Sequence, residues 1–273
     1  MTKASICVLL CVVMLGAWRP AYADTAAALT EVYGDNGLPE WGRPVQKGLH
    51  GLIGAGLFRG DRLVGDPRTR TALFPVVLMT WDDLAYWSIT GGGVWLLQFV
   101  DIPVRVGAGV KVHPGYSPGD DPDLAGMQKR KSSFDGYVNA LWKTELVNIG
   151  AAYYHDIARV TRGDAVTVRF SRHIPVTSRI TLTPRAGVEY QSASLVRYYY
   201  GVTPSEALPD RPEYTGHHAV NYGAGAAAVY RLGSSWSLLG GFFATHLGNG
   251  ISDSPIVLKR HTKVAFFGLG WTF

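Results

Sequence analysis

Ser171 and His173 are the pair in this chain that most invites a catalytic reading, with Arg169 two residues earlier. A hydroxyl beside an imidazole is the start of a nucleophilic hydrolase acting on lipid, provided that the base reaches the nucleophile within hydrogen-bond distance. Alternate residues of a strand share a face but stand roughly 6.5–7 Å apart. That is too far for ready contact, so both read better as polar groups lining an interior. His155 and Asp156 are neighbours, and a strand turns neighbours to opposite faces, which argues against a dyad. His217-His218 offers two imidazoles to a metal, yet no further ligand follows at a convincing spacing. Asp120, Asp121 and Asp123 lack the full acidic ladder and the glycine of a calcium loop, so a solvated loop is expected. Lys129-Arg130-Lys131 reads first as a solvated charge run and second as a contact for lipopolysaccharide phosphates. No catalytic, cofactor-binding or metal-ligating residue is assigned, and no cofactor is expected.

The stretch Lys263 to Phe273 says what kind of element holds these side chains. Ala265, Phe267, Leu269, Trp271 and Phe273 fall on one side of a strand, and Val264, Phe266, Gly268, Gly270 and Thr272 on the other. A greasy face ending in Trp-x-Phe suits a transmembrane barrel, whose outward side meets lipid between aromatic girdles. Gly268, Trp271 and Phe273 also resemble the terminal signal by which the barrel assembly machinery recognises its clients.

At the other end, Lys3, the apolar run Ile6 to Gly16 and Ala21-Tyr22-Ala23 make a secretory signal peptide, with cleavage expected before Asp24. Both cysteines, Cys7 and Cys11, lie inside it, so the exported remainder has no thiol chemistry. Loss of Lys3 and Arg19 leaves 24 basic against 21 acidic residues, about +3, which is too mild to argue for nucleic acid. Nothing after the signal runs to ~18 uncharged apolar residues, so no transmembrane helix is expected. Export, 12% aromatic residues and 33 glycines together point to an all-β outer-membrane barrel.

Residues 24–47, with Gly34, Gly37, Pro39, Gly42 and Pro44, are expected to form an irregular or disordered periplasmic lead-in. Residues 48–273 are then the barrel. The spacing predicts strands at about 48–59, 71–81, 102–113, 133–142, 147–157, 164–174, 179–191, 217–232, 235–247 and 263–273, plus two within 86–100 separated by a hairpin turn at Gly91-Gly92-Gly93. That makes about twelve antiparallel strands, or ten if the triple-glycine stretch is one bent strand. Asp82-Asp83, Lys143 to Glu145, Pro175 to Ser178 and Gly233-Ser234 are short connections, whereas 114–132, 192–215 and 248–261 are long. Short periplasmic turns alternating with long external loops give this rhythm. Arg105, Lys111, Arg169, Arg179, Arg185 and Arg231 fall on inward faces with Glu189 opposed to them, so long arginines are expected to fill much of a narrow or plugged lumen. Such a lumen, if it conducts, prefers anions; cation selectivity in planar bilayers would sink that expectation.

Three motifs carry a resemblance. Tyr198-Tyr199-Tyr200-Gly201-Val202-Thr203 followed by Glu206-Ala207, then Asp253-Ser254-Pro255-Ile256-Val257, then Leu182-Thr183-Pro184-Arg185-Ala186-Gly187-Val188, together with Pro75-Val76-Val77, resemble the MipA/OmpV family of outer-membrane proteins across roughly 48–273. The resemblance implies a non-enzymatic barrel that scaffolds peptidoglycan remodelling by binding a lytic transglycosylase and a murein synthase. It also implies roles in adhesion and antibiotic susceptibility. Beside these protein partners, outer-membrane lipid and lipopolysaccharide are the expected surroundings. A narrow solute channel and, less favoured, a lipid hydrolase are the alternatives.

Overall fold

The computed structural model describes residues 47–273 except 66, 67, 83 and 100. The signal peptide and all but the last residue of the lead-in lie outside the described residues. Thirteen strands follow in chain order: β1 (Leu49–Asp61), β2 (Thr69–Trp81), β3 (Ala85–Ser88), β4 (Gly91–Gln98), β5 (Val104–His113), β6 (Ser133–Lys143), β7 (Asn148–Asp156), β8 (Asp164–Ser171), β9 (Ile174–Pro175), β10 (Ile180–Gln191), β11 (Ala219–Arg231), β12 (Trp236–His246) and β13 (His261–Thr272). The two-residue β9 continues the line of β8 along β10, so the wall has twelve staves. Each pairs antiparallel with its neighbour, and the ring closes where β1 meets β13, Leu52 facing Thr272 through to Gly60 facing Val264. Phe273 extends that seam: Gly51 and Phe273 each donate an N–H to the other's carbonyl at 3.1 Å. Closure removes the sheet edges, as a chain that crosses lipid with strands requires.

The alternation read in β13 holds in the structure. Phe267, Leu269 and Trp271 are exposed, while Val264 and Phe266 are buried. Leu57, Leu73, Leu97, Val110, Val138, Val188, Tyr222 and Phe242 complete an outward apolar band. In water such a surface would be an aggregation hazard, whereas in a bilayer it is the solvated side. The chain is an outer-membrane β-barrel. Both ends of the ring's chain and the short connections between β2 and β3, β6 and β7, β9 and β10, and β11 and β12 share one end, the periplasmic one by the usual rule.

The structure corrects two expectations. The hairpin turn lies at Ile89-Thr90, and the triple glycine belongs to β4. Its glycines serve packing: a Cβ on Gly93 would stand 2.6 Å from Tyr137 Oη and 2.7 Å from Tyr86 Oη. The ten-strand alternative falls with it, because β3 and β4 form separate staves.

The second correction concerns the lumen. Its wall from β11 round to β2 is apolar: Leu52, Phe58, Phe74, Val76, Leu239, Phe243, Val264 and Phe266 pack inside the barrel. Glycines receive the rings. A Cβ on Gly56 would meet the Phe74 ring at 2.6 Å. Arginines fill only part of the interior, because strands on this side alternate large apolar side chains with glycine instead of polar groups. Lys111, Arg169, Arg185 and Glu189 gather on the opposite wall, and Arg179 lies exposed at the periplasmic rim.

Candidate functional site

At the external end, the long connections fold inward and cover the mouth. Two short helices form there: α1 (Ala193–Tyr200) in the β10–β11 loop and α2 (Asn249–Ser252) in the β12–β13 loop. An eight-residue helix is marginal alone, and α1 is held by what it buries. Leu195, Val196, Tyr199 and Tyr200 fall on one face, the spacing of a buried helical stripe. They pack with Val202 of the same loop, with Leu124, Met127, Ile251, Ile256 and Val257 from other loops and with Tyr137 and Tyr154 from the wall. The start of α1 is pinned by Ser192, whose N–H reaches the Asp164 carbonyl at 2.9 Å and whose Oγ accepts from the Asp164 N–H at 2.9 Å.

The polar centre of this cover is Glu206. Arg130 grips its carboxylate with both guanidinium nitrogens, Nη1 to Oε1 at 2.9 Å and Nη2 to Oε2 at 3.0 Å. The N–H groups of Gln128 (2.7 Å) and Thr203 (2.9 Å) and the Thr203 hydroxyl (2.9 Å) complete the shell. Burial alone would push this carboxyl up; the Arg130 hydrogen bonds and the two backbone donors overcome it and hold it at about 2, against an ordinary 4.5. Arg211 bonds the Glu206, Asp123 and Ala125 carbonyls at 2.9–3.2 Å. The β5–β6 and β10–β11 loops are therefore cross-tied through the buried Arg130–Glu206 pair and through Arg211.

The remaining loops are tied in similarly. Ser254 Oγ donates to the Tyr200 carbonyl at 2.6 Å, Tyr116 Oη to that of Tyr199 at 2.7 Å, and the Gly65 N–H to that of Ile256 at 2.9 Å. Burial pushes the Tyr116 hydroxyl up to about 12 and that of Tyr199 higher still, so both stay protonated. Tyr199 also stacks on His113, ring centroids 4.5 Å apart.

The charged candidates of the sequence land differently from their expectation. Asp121 is no solvated carboxylate: Arg62 Nη1 meets it at 2.7 Å, and its side chain is fully buried. It sits against Gly65, at φ +80°, where a Cβ would approach the carboxylate within 2.5 Å; a loop that must lie this close needs glycine. Lys129-Arg130-Lys131 splits, with the two lysines exposed and Arg130 buried on Glu206. Spacing along the chain could not reveal that partner, 76 residues away.

His155 and Asp156 do point apart: His155 turns outward to Asp164 at 2.8 Å, and Asp156 turns inward to cap the 157–163 loop through Ala158, Thr161 and Arg162. His173 meets Thr183 Oγ1 on the facing strand at 3.0 Å rather than Ser171. His217 bonds the His218 carbonyl at 2.8 Å. Among the described residues no group of three or more His, Cys, Asp or Glu could hold a metal ion. Ser171→Ala and His173→Ala are accordingly expected to leave envelope phospholipid composition as in the wild type; loss of a phospholipid-cleaving activity would restore the hydrolase reading.

Two of the motifs singled out in the sequence thus converge on one place. Tyr198 to Glu206 and Asp253 to Val257 build the external cover, and the third, on β10, lines the wall beneath it. The pattern that defines a family described as MltA-interacting protein MipA matches residues 53–273. The chain belongs to this family. Among MipA-family and related outer-membrane proteins, it is 29% identical over 142 residues to outer membrane protein Omp26La of Vibrio anguillarum, 52% of this chain and 55% of that protein. It is 31% identical over 142 residues to outer membrane protein OmpV of Vibrio cholerae, with the same shares. It is 30% identical over 95 residues to the MltA-interacting protein of Escherichia coli, 34% of this chain and 38% of that one. The match spans about half the length of the first two relatives. Arg62, Tyr116 and Arg211 are residues of the cover that sequence reasoning missed. The Thr203-x-x-Glu206 spacing, typical of a reciprocal capping turn, was the available signal for the centre of the MipA-family cover, since the Glu206 N–H also returns to the Thr203 carbonyl at 2.9 Å.

Proposed function

We propose that this barrel is a non-enzymatic scaffold for peptidoglycan-remodelling enzymes, a lytic transglycosylase and a murein synthase, engaged from the periplasm. The observation that supports this most is the external cover. Its loops are spent on each other, bonded through Glu206 and Arg130, which leaves the periplasmic turns as the surface for protein partners. Glu145, Arg172, Thr177, Ser178, Arg179 and Ser234 are exposed there. The name of the Escherichia coli relative, MltA-interacting protein, is further support at low identity. Residues 24–47 would add to the same side. The outward band would meet lipid and lipopolysaccharide, and β13 would be the strand the barrel assembly machinery reads.

The test is affinity capture from detergent-solubilised envelopes, with this barrel as bait and an unrelated barrel as control. A transglycosylase or murein synthase is expected in the specific eluate. Replacing every periplasmic turn (those between β2 and β3, β4 and β5, β6 and β7, β9 and β10, and β11 and β12) by short Gly-Ser links and deleting 24–47 is expected to abolish recovery. Unchanged capture after all of these alterations would refute the scaffold.

A further inference from the structure

His246 closes β12 and His261 opens β13, and the two face each other directly across the strands. Their Nδ1 atoms stand 3.3 Å apart and their ring centroids 4.6 Å apart, with the rings inclined at 55°. Counting in twos from the exposed Phe242 and Phe267 puts both on the outward side, at the external rim of the wall. His246 is half-buried there and His261 exposed. From this geometry we infer that the pair chelates a zinc-like divalent cation, the two Nδ1 atoms supplying two corners of a tetrahedron and solvent the other two. The inference stands apart from the scaffold reading, since it concerns the external rim and not the periplasmic turns.

The distance carries the assignment. Two imidazole nitrogens ~2.0–2.1 Å from a tetrahedral ion stand ~3.3–3.4 Å apart, whereas the right angle of an octahedral or square-planar ion would draw them to ~2.8–3.0 Å. Without an ion, the same two atoms share one proton in a long N–H···N contact; an ion replaces that proton and uses the lone pair of each ring. Tyr222, directly cross-strand from His246 on β11, stacks on its ring with centroids 4.6 Å apart and planes 25° apart. That stacking sets the imidazole plane in advance and lowers the ordering cost of the chelate. Arg260, beside His261, is engaged by Asp253 at 3.0 Å, while Lys263, two residues on along the outward face, opposes the cation. Among the described residues no third His, Cys, Asp or Glu joins the pair, so the site is an open two-ligand chelate and not a closed structural centre. Imidazole also selects the class of ion, because magnesium and calcium prefer oxygen ligands.

Calorimetric titration of the full chain in detergent, prepared without a polyhistidine tag, with zinc chloride and with magnesium chloride tests this. Zinc is expected to bind saturably at one ion per barrel, and magnesium not to bind. His246→Gln and His261→Gln should each weaken zinc at least ~10-fold, since even groups that only orient a metal ligand are worth that much. His217→Gln should leave zinc affinity as in the wild type. X-ray absorption at the zinc edge of the loaded, unaltered protein counts the ligands without relying on any variant to fold, and two imidazoles are expected. No saturable zinc, equal affinity for magnesium, zinc affinity unchanged in His246→Gln and His261→Gln, an equal loss in His217→Gln, or fewer than two imidazoles on the ion would overturn the proposal.

Discussion

Glu206→Gln loosens the external cover while the strands stay paired: that is the expected outcome of the most informative single substitution. The exchange keeps the shape and removes the charge, which leaves the buried Arg130 guanidinium without its counter-ion. Removing one member of a buried pair costs about 3–5 kcal/mol, much of it the penalty on the partner left behind. The loss falls on the loops, because Glu206 bonds Arg130, Gln128 and Thr203 and none of these lies in a strand. Trypsin should then cut after Lys129 and Lys131 at least ~100-fold faster, with the heat-stable barrel band intact on gels. Arg130→Met combined with Glu206→Leu should recover part of the protection, since neither charge is then stranded. Equal trypsin resistance in the wild type and Glu206→Gln would remove the pair from the account of the cover.

The same pair fixes an acid limit. The folded-state pKa of Glu206, about 2, lies below its ordinary 4.5. A depressed carboxyl contributes stability that is fully present above the unfolded value and is lost as pH falls through the folded one. The cover should therefore be intact above pH 4.5 and lose about 3 kcal/mol on the way to pH 2. Hydrogen exchange at the Gln128 and Thr203 amides, stepped between those limits, reads that loss directly. Glu206→Gln should flatten the dependence.

Phe266→Ala and Phe267→Ala are expected to separate by a wide margin although they are neighbours on β13. Phe266 is buried in the luminal core with Phe58, Val264 and Phe243, its ring over Gly241, where no Cβ would fit. Emptying that site should lower the unfolding free energy by about 3–5 kcal/mol, the cost of a Phe-sized cavity in a packed interior. Phe267 is more than half exposed on the outward face. Its truncation exchanges one lipid contact for another and should cost ~1 kcal/mol or less in detergent. Urea unfolding of the two variants checks the assignment of faces. Similar losses in both would mean that the interior is not the packed core described here.

The barrel itself was legible before any coordinates, and β13 shows why. Side-chain alternation is a local property with a period of two, so Phe267, Leu269 and Trp271 on one face and Val264 and Phe266 on the other can be counted off the chain. Loop lengths and turn residues are local too, which made the even strand number and the periplasmic end readable. Gly91-Gly92-Gly93 misled because glycine signals both a turn and a close approach. Only the rings of Tyr86 and Tyr137, brought across from β3 and β6, decide between the two.

What the sequence determined by itself is the lipid-facing wall, its twelve crossings and the family motifs in their order, because each is written in neighbours along the chain. The tertiary structure alone decided that Arg130 faces Glu206, that Asp121 is buried on Arg62, and that one lumen wall is greasy and the other basic. A buried ion pair and a packed interior depend on which distant segments meet. Ring closure and the inward fold of the loops set those meetings, and no short stretch of sequence contains both partners.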